Sequence, residues 1–406
     1  MKRILVLGGG FAGLIGAVGA ARKLAELKIA KSDISVTLVN RDKWHAIRVR
    51  NYEPDLSDVR VPLDDVLGPI GVDLVVGDVT SIVPGRHEVA CTVGGRATTL
   101  AYDRLLFALG SELVRPAIPG LAEHGFDIDT YDAAARLGAH LAALPDRPAS
   151  PGRYTALIVG GGLTGVELAS ELATRLRSIG GGSPTRVILA DRVVRIGSNM
   201  GDDACTVIGE ALSTLGVESL PGVDIASVHP HGVRLASGRE IATETVVWCA
   251  GMRAHPLATS LPGPHDRFGR VAVDQSLKVE GAPDIFAAGD VAAALVDGTH
   301  VSVMSCQHAR PMGRVAGHNI VADLVGVAPI PLEIGYYVTC LDLGAWGAVY
   351  TQGWERRVSA TGAAAKETKT TINRQRIYPP RSRDPAEILA AAAPAIQAPP
   401  RQDAAE

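Results

Sequence analysis

The chain has 406 residues, 47% of them hydrophobic but only 4% aromatic, with 45 glycines. That length holds two or three domains, and a composition of aliphatic residues broken by many tight turns suits an α/β protein. A net charge of −3 argues against general affinity for nucleic acid. A first strand beginning at Lys2 leaves no room for a signal peptide, and no charge-free apolar run of about 18 residues predicts a membrane span.

The apolar run Ile4–Leu7 leads into Gly8-Gly9-Gly10-Phe11-Ala12-Gly13, and a second run, Ala156–Val159, leads into Gly160-Gly161-Gly162-Leu163-Thr164-Gly165. Both read G-x-G-x-x-G between a buried strand and a helix. That turn brings a pyrophosphate onto bare backbone amides at the positive end of a helix. One such turn is a weak signal, since ordinary tight turns look alike. Two in the same context predict two dinucleotides held by one protein, with electrons passing between them.

In chain order, the first helix is expected from Leu14 to about Leu27, then the strand Ser35–Val39. Asn40 ends that strand, where an acid usually bonds a ribose hydroxyl pair; Asn can bond one. Short strands between Asp73 and Thr99 read as a meander. Asp103–Gly110 is a strand ending in a turn, and Pro116 with Pro119-Gly120 marks a crossing between domains. The second unit starts at Tyr154, with a helix from Thr164 to about Ile179 and the strand Arg186–Ala190. Asp191 at its end would accept both hydroxyls of an adenosine ribose and repel a 2′-phosphate, which favours NADH over NADPH; Arg192 beside it moderates that preference. The strand Thr245–Cys249 ends at Ala250-Gly251, and Asp284–Ala288 ends at Gly289-Asp290. A helix is predicted from Ser305 to Leu324. A β-rich segment follows with Tyr336–Thr339 and Trp346–Tyr350, then an Ala/Pro/Gln-rich tail from Pro394, expected to be disordered. Between Glu355 and Arg383 eight basic residues stand against two acidic ones, a patch open to two readings: contact with anionic lipid, or a solvated surface.

Together these features resemble the two-dinucleotide-binding-domain flavoproteins, and among them the type II NADH dehydrogenases, the single-subunit NADH:quinone oxidoreductases. Beside the two turns, Asn40-Arg41-Asp42-Lys43-Trp44-His45 with Tyr52-Glu53 is similar to the stretch after that family's second strand. Tyr102-Asp103 through Gly110-Ser111 resembles its YDxLLxAxGS strand, Trp248-Cys249-Ala250-Gly251 its WxAG turn, and Ala288-Gly289-Asp290 its second flavin signature. The family's AQxxxQ helix is matched only at Gln307. Cys306 replaces the alanine and Pro311 the second glutamine, and the C-terminal segment has no obvious amphipathic membrane helix.

The resemblance implies an α/β fold of two nested Rossmann-like dinucleotide-binding domains with a small β-rich C-terminal region. An FAD-binding domain would be made of residues 1–115 and 253–326, with an NADH-binding domain at 116–252 inserted. An acceptor or interface region would follow at 327–393, and a disordered tail at 394–406. Gly8, Gly10, Phe11, Ala12 and Gly13 would hold the FAD pyrophosphate, with Asn40, Arg41, Gly110, Gly289 and Asp290 completing the FAD site. Gly160, Gly162, Gly165, Asp191, Ala250 and Gly251 would hold NADH. By the same resemblance Asp290 bonds the ribityl chain and Glu167 faces the nicotinamide; their plainer readings are a helix N-cap and a carboxylate suited to a helix dipole. Gln307 is the candidate contact to an acceptor carbonyl. His308 is a weaker candidate, being a lone histidine. Cys306 and Cys340 read as two buried thiols rather than a redox pair, and no metal site is predicted.

The function expected is hydride transfer from NADH to FAD and electron delivery to a quinone-type acceptor, in the cytoplasm or peripherally on the inner face of the cell membrane. Two other readings stay open: a soluble NAD(P)H-dependent flavoprotein reductase of another acceptor (a ferredoxin-like protein, sulfide or polysulfide, or a small metabolite), and a slow-turnover redox-responsive protein that binds NADH and FAD and acts through its partner. Oligomeric state, with a homodimer among the options, is not set by the sequence.

Overall fold

The computed structural model describes residues 1–395 and 399. The first unit is strand β1 (Lys2–Leu7), helix α1 (Phe11–Glu26) and strand β2 (Ile34–Asn40), and the second is β3 (Thr155–Val159), α2 (Leu163–Gly180) and β4 (Arg186–Asp191). Their strands are buried at nearly every position, as expected of parallel strands covered on both faces. Each unit lies in a five-stranded parallel sheet of like order. The first runs Ile285–Ala287, Arg104–Phe107, β1, β2, Asp73–Val76. The second runs Gly125–Phe126, Thr245–Trp248, β3, β4, Val217–Pro221. The second sheet is therefore inserted in sequence between strands of the first. Asp73–Val76 was expected in the meander. It belongs to the first sheet instead, pairing in parallel with Thr37–Asn40, and the antiparallel meander proper is Asp78–Val83, Glu88–Val93 and Arg96–Ala101.

Helix α3 (Cys306–Val325) lies along α1, and glycines set the distance between them. A Cβ on Gly317 would stand 2.2 Å from the Gly16 carbonyl, and one on Gly313 would stand 2.4 Å from that of Ala12. The two backbones touch, in parallel, so the start of α3 is held beside the turn that opens α1.

The C-terminal region is less β-rich than its pattern suggests. Strands β5 (Val338–Asp342), β6 (Ala348–Gln352) and β7 (Arg357–Thr361) form an antiparallel sheet, the first two set two to three residues later than expected, with Trp346 taken into the 3-10 turn Gly344–Trp346. Helix α4 (Gly362–Thr371) covers it and runs into a π-helical stretch, Ile372–Arg376, and a last short helix, Pro385–Ala391, packs on α1. Leu341, Leu343 and Val349 enter the core of the second unit, whereas Ile377, Tyr378 and Ile388 enter that of the first. The predicted tail, 394–406, lies almost wholly outside the described residues.

Candidate active site

The two glycine turns have the same geometry. Gly8 and Gly160 have φ of +100° and +120°, and a Cβ on either would press on backbone, 2.4 Å from the Ala108 oxygen and 2.8 Å from the Ala250 nitrogen. The last glycine of each turn packs on the first: a Cβ on Gly13 or Gly165 would lie 1.9 or 1.8 Å from the carbonyl oxygen of Gly8 or Gly160. The middle glycines face open space, with nothing within 4 Å of a Cβ on Gly10 and only an Asn199 nitrogen at 4.0 Å from one on Gly162. Gly10 and Gly162 are also the helix N-caps, without a side chain to cap them, and no acid stands in either first turn. Two helix N-termini thus present free amides across a Cβ-free gap, which fits one pyrophosphate each.

The repeat extends to the end of the second strand. Asn40 Oδ1 accepts a hydrogen bond from the Gly9 amide at 2.8 Å, and Asp191 Oδ2 accepts one from Gly161. Asn40 also donates to the Asp42 carbonyl at 2.9 Å, and Asp191 Oδ1 accepts from the Val193 amide at 3.0 Å. Both side chains brace their turns. That is why an amide serves at Asn40, where only the acceptor oxygen meets Gly9. Arg41 beside it is exposed.

A cross-strand link joins the units. Ser111–Leu113 pairs antiparallel with Met252–Ala254, and the Trp248 indole donates to the carbonyls of Val114 and Ala250. Gly110 and Gly251, with φ of +76° and +83°, let the chain turn into this link. Asp290 stands in the three-residue 3-10 turn Gly289–Val291 and caps no α-helix. Its carboxylate accepts from Ser111 Oγ at 2.6 Å, and burial pushes its carboxyl up against the pull of Ser111, Arg48 and Arg270. Arg48 bonds Ser111 on one side and Asp129 on the other, so one guanidinium ties both units to the residue that holds Asp290. Nothing in the local sequence marks Arg48, whose partners are distant in the chain.

Glu167 is buried. Its Oε1 accepts from Lys369 Nζ at 2.7 Å and from the Asp342 amide at 3.1 Å. Burial opposes the charge on Lys369, but Glu167 and Asp342 outweigh it and hold the ammonium above its ordinary range. Asp342 in turn accepts from Tyr52 at 3.0 Å and Lys366 at 2.5 Å. Tyr52, Asp342, Lys366 and Lys369 line a cavity of about 160 Å³ between the units and the C-terminal layer, with Glu53 and Glu171 also in its wall.

Gln307, in the first turn of α3, accepts from the Val338 amide at 3.2 Å, and its Nε2 is buried with no partner among the described residues. Pro311 has no N–H to return to the Gln307 carbonyl. His308 is fully buried. Its Nδ1 accepts from the Val303 amide at 2.9 Å, which leaves the proton on Nε2, and burial pulls its pKa down to about 4. It is a neutral packed group in contact with Tyr337 and Trp354. All five cysteines are unpaired; burial pushes the Cys306 thiol up and Cys340 up to about 12, so neither is a ready thiolate.

The basic run is engaged within the protein. Lys366, Lys369, Arg374, Arg381 and Arg383 pair with Asp342, Glu167, Glu53, Asp58 and Asp65, Arg357 with Glu355, and Arg356 with the Tyr337 hydroxyl. Most of the charge concentrated in this run pairs with acids distant in the chain.

Residues 2–313 match the family model described as pyridine nucleotide-disulphide oxidoreductase. The chain belongs to that family. An NADH dehydrogenase-like protein of Mycobacterium tuberculosis is 52% identical over 98% of this chain and 99% of its own. A type II NADH:quinone oxidoreductase of Staphylococcus haemolyticus is 26% identical over 93% of this chain and 95% of its own. In fold, the NDH2 of Plasmodium falciparum solved with NADH superposes with a TM-score of 0.75 at 12% identity, over 96% of this chain and 97% of that one. As a pyridine nucleotide-disulphide oxidoreductase this chain is an oxidoreductase of the two-dinucleotide type, but its own cysteines form no disulfide.

Proposed function

We propose that the protein is an FAD-dependent NADH dehydrogenase that delivers electrons to a quinone-type acceptor. One strand carries the reading. The Val338 amide of β5 bonds Gln307 of α3, and the Asp342 amide of the same strand bonds Glu167 of α2. The candidate acceptor contact of one unit and the candidate nicotinamide contact of the other are thereby held four residues apart on a single rigid element. Its relatives named for NADH and for quinone support the same pairing of donor and acceptor.

FAD, when bound, supplies the redox chemistry: it takes the hydride of NADH and passes two electrons on. The chain's residues position and neutralise. The open amides of α1 would hold the FAD pyrophosphate with Asp290 on its ribityl chain, and those of α2 the pyrophosphate of NADH, with Asp191 at the adenosine end. Reduction of a quinone consumes NADH and one further proton and releases NAD⁺ and the quinol. Glu167, with Lys369, Asp342 and Tyr52 behind it, is the buried group able to hold a proton near that step, and the cavity that Lys369, Asp342 and Tyr52 line is the route from it toward solvent.

The deciding experiment is rapid mixing of the flavoprotein with NADH, followed by an acceptor panel of quinones, ferricyanide, polysulfide and oxygen. Fast flavin reduction with turnover on a quinone is expected. Slow reduction followed by a long-lived charge-transfer band, with no acceptor turned over, would overturn the reading in favour of a redox-responsive protein. Among the described residues no helix is long and apolar enough to cross a membrane. We place the protein in the cytoplasm, meeting its acceptor at the inner face of the cell membrane, where a salt wash of membranes should release it.

A further inference from the structure

The start of α3 holds an uncompensated positive charge. Arg310 follows Ala309, whose methyl lies against Gly289, as does that of Ala12 at the opening of α1. It therefore stands beside the candidate flavin site, one turn into the helix. One of its Nη atoms donates to the Arg376 carbonyl on the π-helical stretch that covers it. Arg314, one turn further and 7% exposed, donates to the Ala391 carbonyl at 3.1 Å. Among the described residues neither meets a carboxylate. The groups that act on the Arg310 charge are Arg314, Cys306, Tyr336 and Arg376, and burial with these cations pulls its pKa down to about 10. From the first unit's side its neighbour is the neutral, buried His45.

Elsewhere the protein treats such residues differently. Arg50 holds Glu53, Arg104 holds Asp284 and Asp323, and Arg270 holds Asp266. A guanidinium taken from water and left with carbonyls alone is destabilising, and a guest anion would offset that. Arg310 retains donors suited to a planar anionic group. On the same first turn, Gln307 Nε2 is a buried donor with no acceptor among the described residues. An unpartnered amide and, one turn on, a guanidinium without a carboxylate therefore share the helix start where the acceptor contact was assigned.

We propose that the boundary between α3 and the covering stretch Ile372–Arg376 takes a quinone that carries an anionic group, and that Arg310 is the residue selecting it. This rests on the quinone reading above and narrows it. Arg310 is a specificity residue; it takes no part in the NADH half-reaction.

The test compares 1,4-naphthoquinone-2-sulfonate with neutral menadione as acceptors for the holoenzyme and for Arg310→Met. The variant should lose about tenfold or more in kcat/KM for the sulfonate relative to menadione, the size of one charge-assisted hydrogen bond. Flavin content and the rate of flavin reduction by NADH should not change, and the sulfonate preference of the unmodified enzyme should weaken in 0.5 M salt. Arg310→Lys, which keeps the charge, should fall between the two, and it carries the same comparison if the Met variant loses flavin. Equal effects on both quinones, or a gain on both from removing a plug, would overturn the proposal. Binding of redox-inert naphthalene-2-sulfonate, read as a saturable change in the flavin spectrum, separates the two readings. If neither quinone turns over but this binding occurs and needs Arg310, the anion slot stands and the quinone fails. If the spectrum of the unmodified protein does not move, the slot fails.

Discussion

Lys369 lies 2.7 Å from Glu167 with both side chains only 10% exposed, so removing it strands a carboxylate away from water. Lys369→Met should cost about 3–5 kcal/mol of unfolding free energy, seen in the denaturant midpoint, and adding Glu167→Leu should restore much of it. Equal loss in the single and double variants would show that the pair is not a unit. At Asp191 both carboxylate oxygens already accept backbone amides, which fixes the charge where an adenosine 2′-phosphate would come. Steady-state rates should therefore favour NADH in kcat/KM, and Asp191→Ser should narrow the gap while raising the KM for NADH, because the turn loses its brace. Comparable values for both cofactors in the unmodified protein would refute this. With Cys340 held up to about 12 and Cys306 also raised, thiols offer no nucleophile near neutral pH. Cys306→Ala with Cys340→Ala should leave flavin reduction by NADH within about threefold, and a loss of orders of magnitude in acceptor turnover would bring back dithiol chemistry.

At the scale of elements, the contact of α1 with α3 is the most exacting feature. Gly317→Val would push a branched side chain into the Gly16 carbonyl, 2.2 Å from where its Cβ must go. The helices would have to separate, with a loss of about 1–3 kcal/mol or more and a lower flavin-to-protein ratio, since the turn at Gly8 and the start of α3 would shift apart. Gly85→Ala, where nothing lies within 4 Å, is the control expected to change neither. These units were legible in the sequence because their logic is local: an apolar run, a glycine turn and a helix within about thirty residues. The assignment of Asp73–Val76 to a meander failed because a short edge strand reads alike in either sheet. The C-terminal layer was illegible for another reason. Most of its charges answer to acids hundreds of positions away, as when Arg381 meets Asp58 across 323 residues. No periodicity within a segment reports such a partner, so the sequence left the basic run between lipid contact and a solvated surface without its acidic partners, and Glu167 was found without its lysine.

Over the whole molecule, protonation of buried histidines sets an acid limit. Burial pulls His45, His140 and His308 from an ordinary 6.5 down to about 4. The unfolded chain takes up these protons first as pH falls, so the stability they confer is complete above about 6.5 and is lost progressively toward 4. Each contributes a slope of at most ~1.4 kcal/mol per pH unit. The melting temperature should fall across that window, and less steeply in His308→Gln; a flat profile from 6.5 to 4 would contradict the burial of all three.

The closing of the last helix, Pro385–Ala391, onto α1 also imposes an order on synthesis. A ribosome releases the inserted sheet, from Gly125 to Trp248, as one continuous stretch that can complete itself while translation continues. The first sheet cannot, since it waits for Ile285–Ala287, then for α3, then for the stretch that covers both. The turn made first is thus the site finished last. A nascent chain that stalled before Ile285 would carry a settled second unit beside an open α1, whose glycine-lined face would be the surface a chaperone has to shield until the carboxyl-terminal residues arrive.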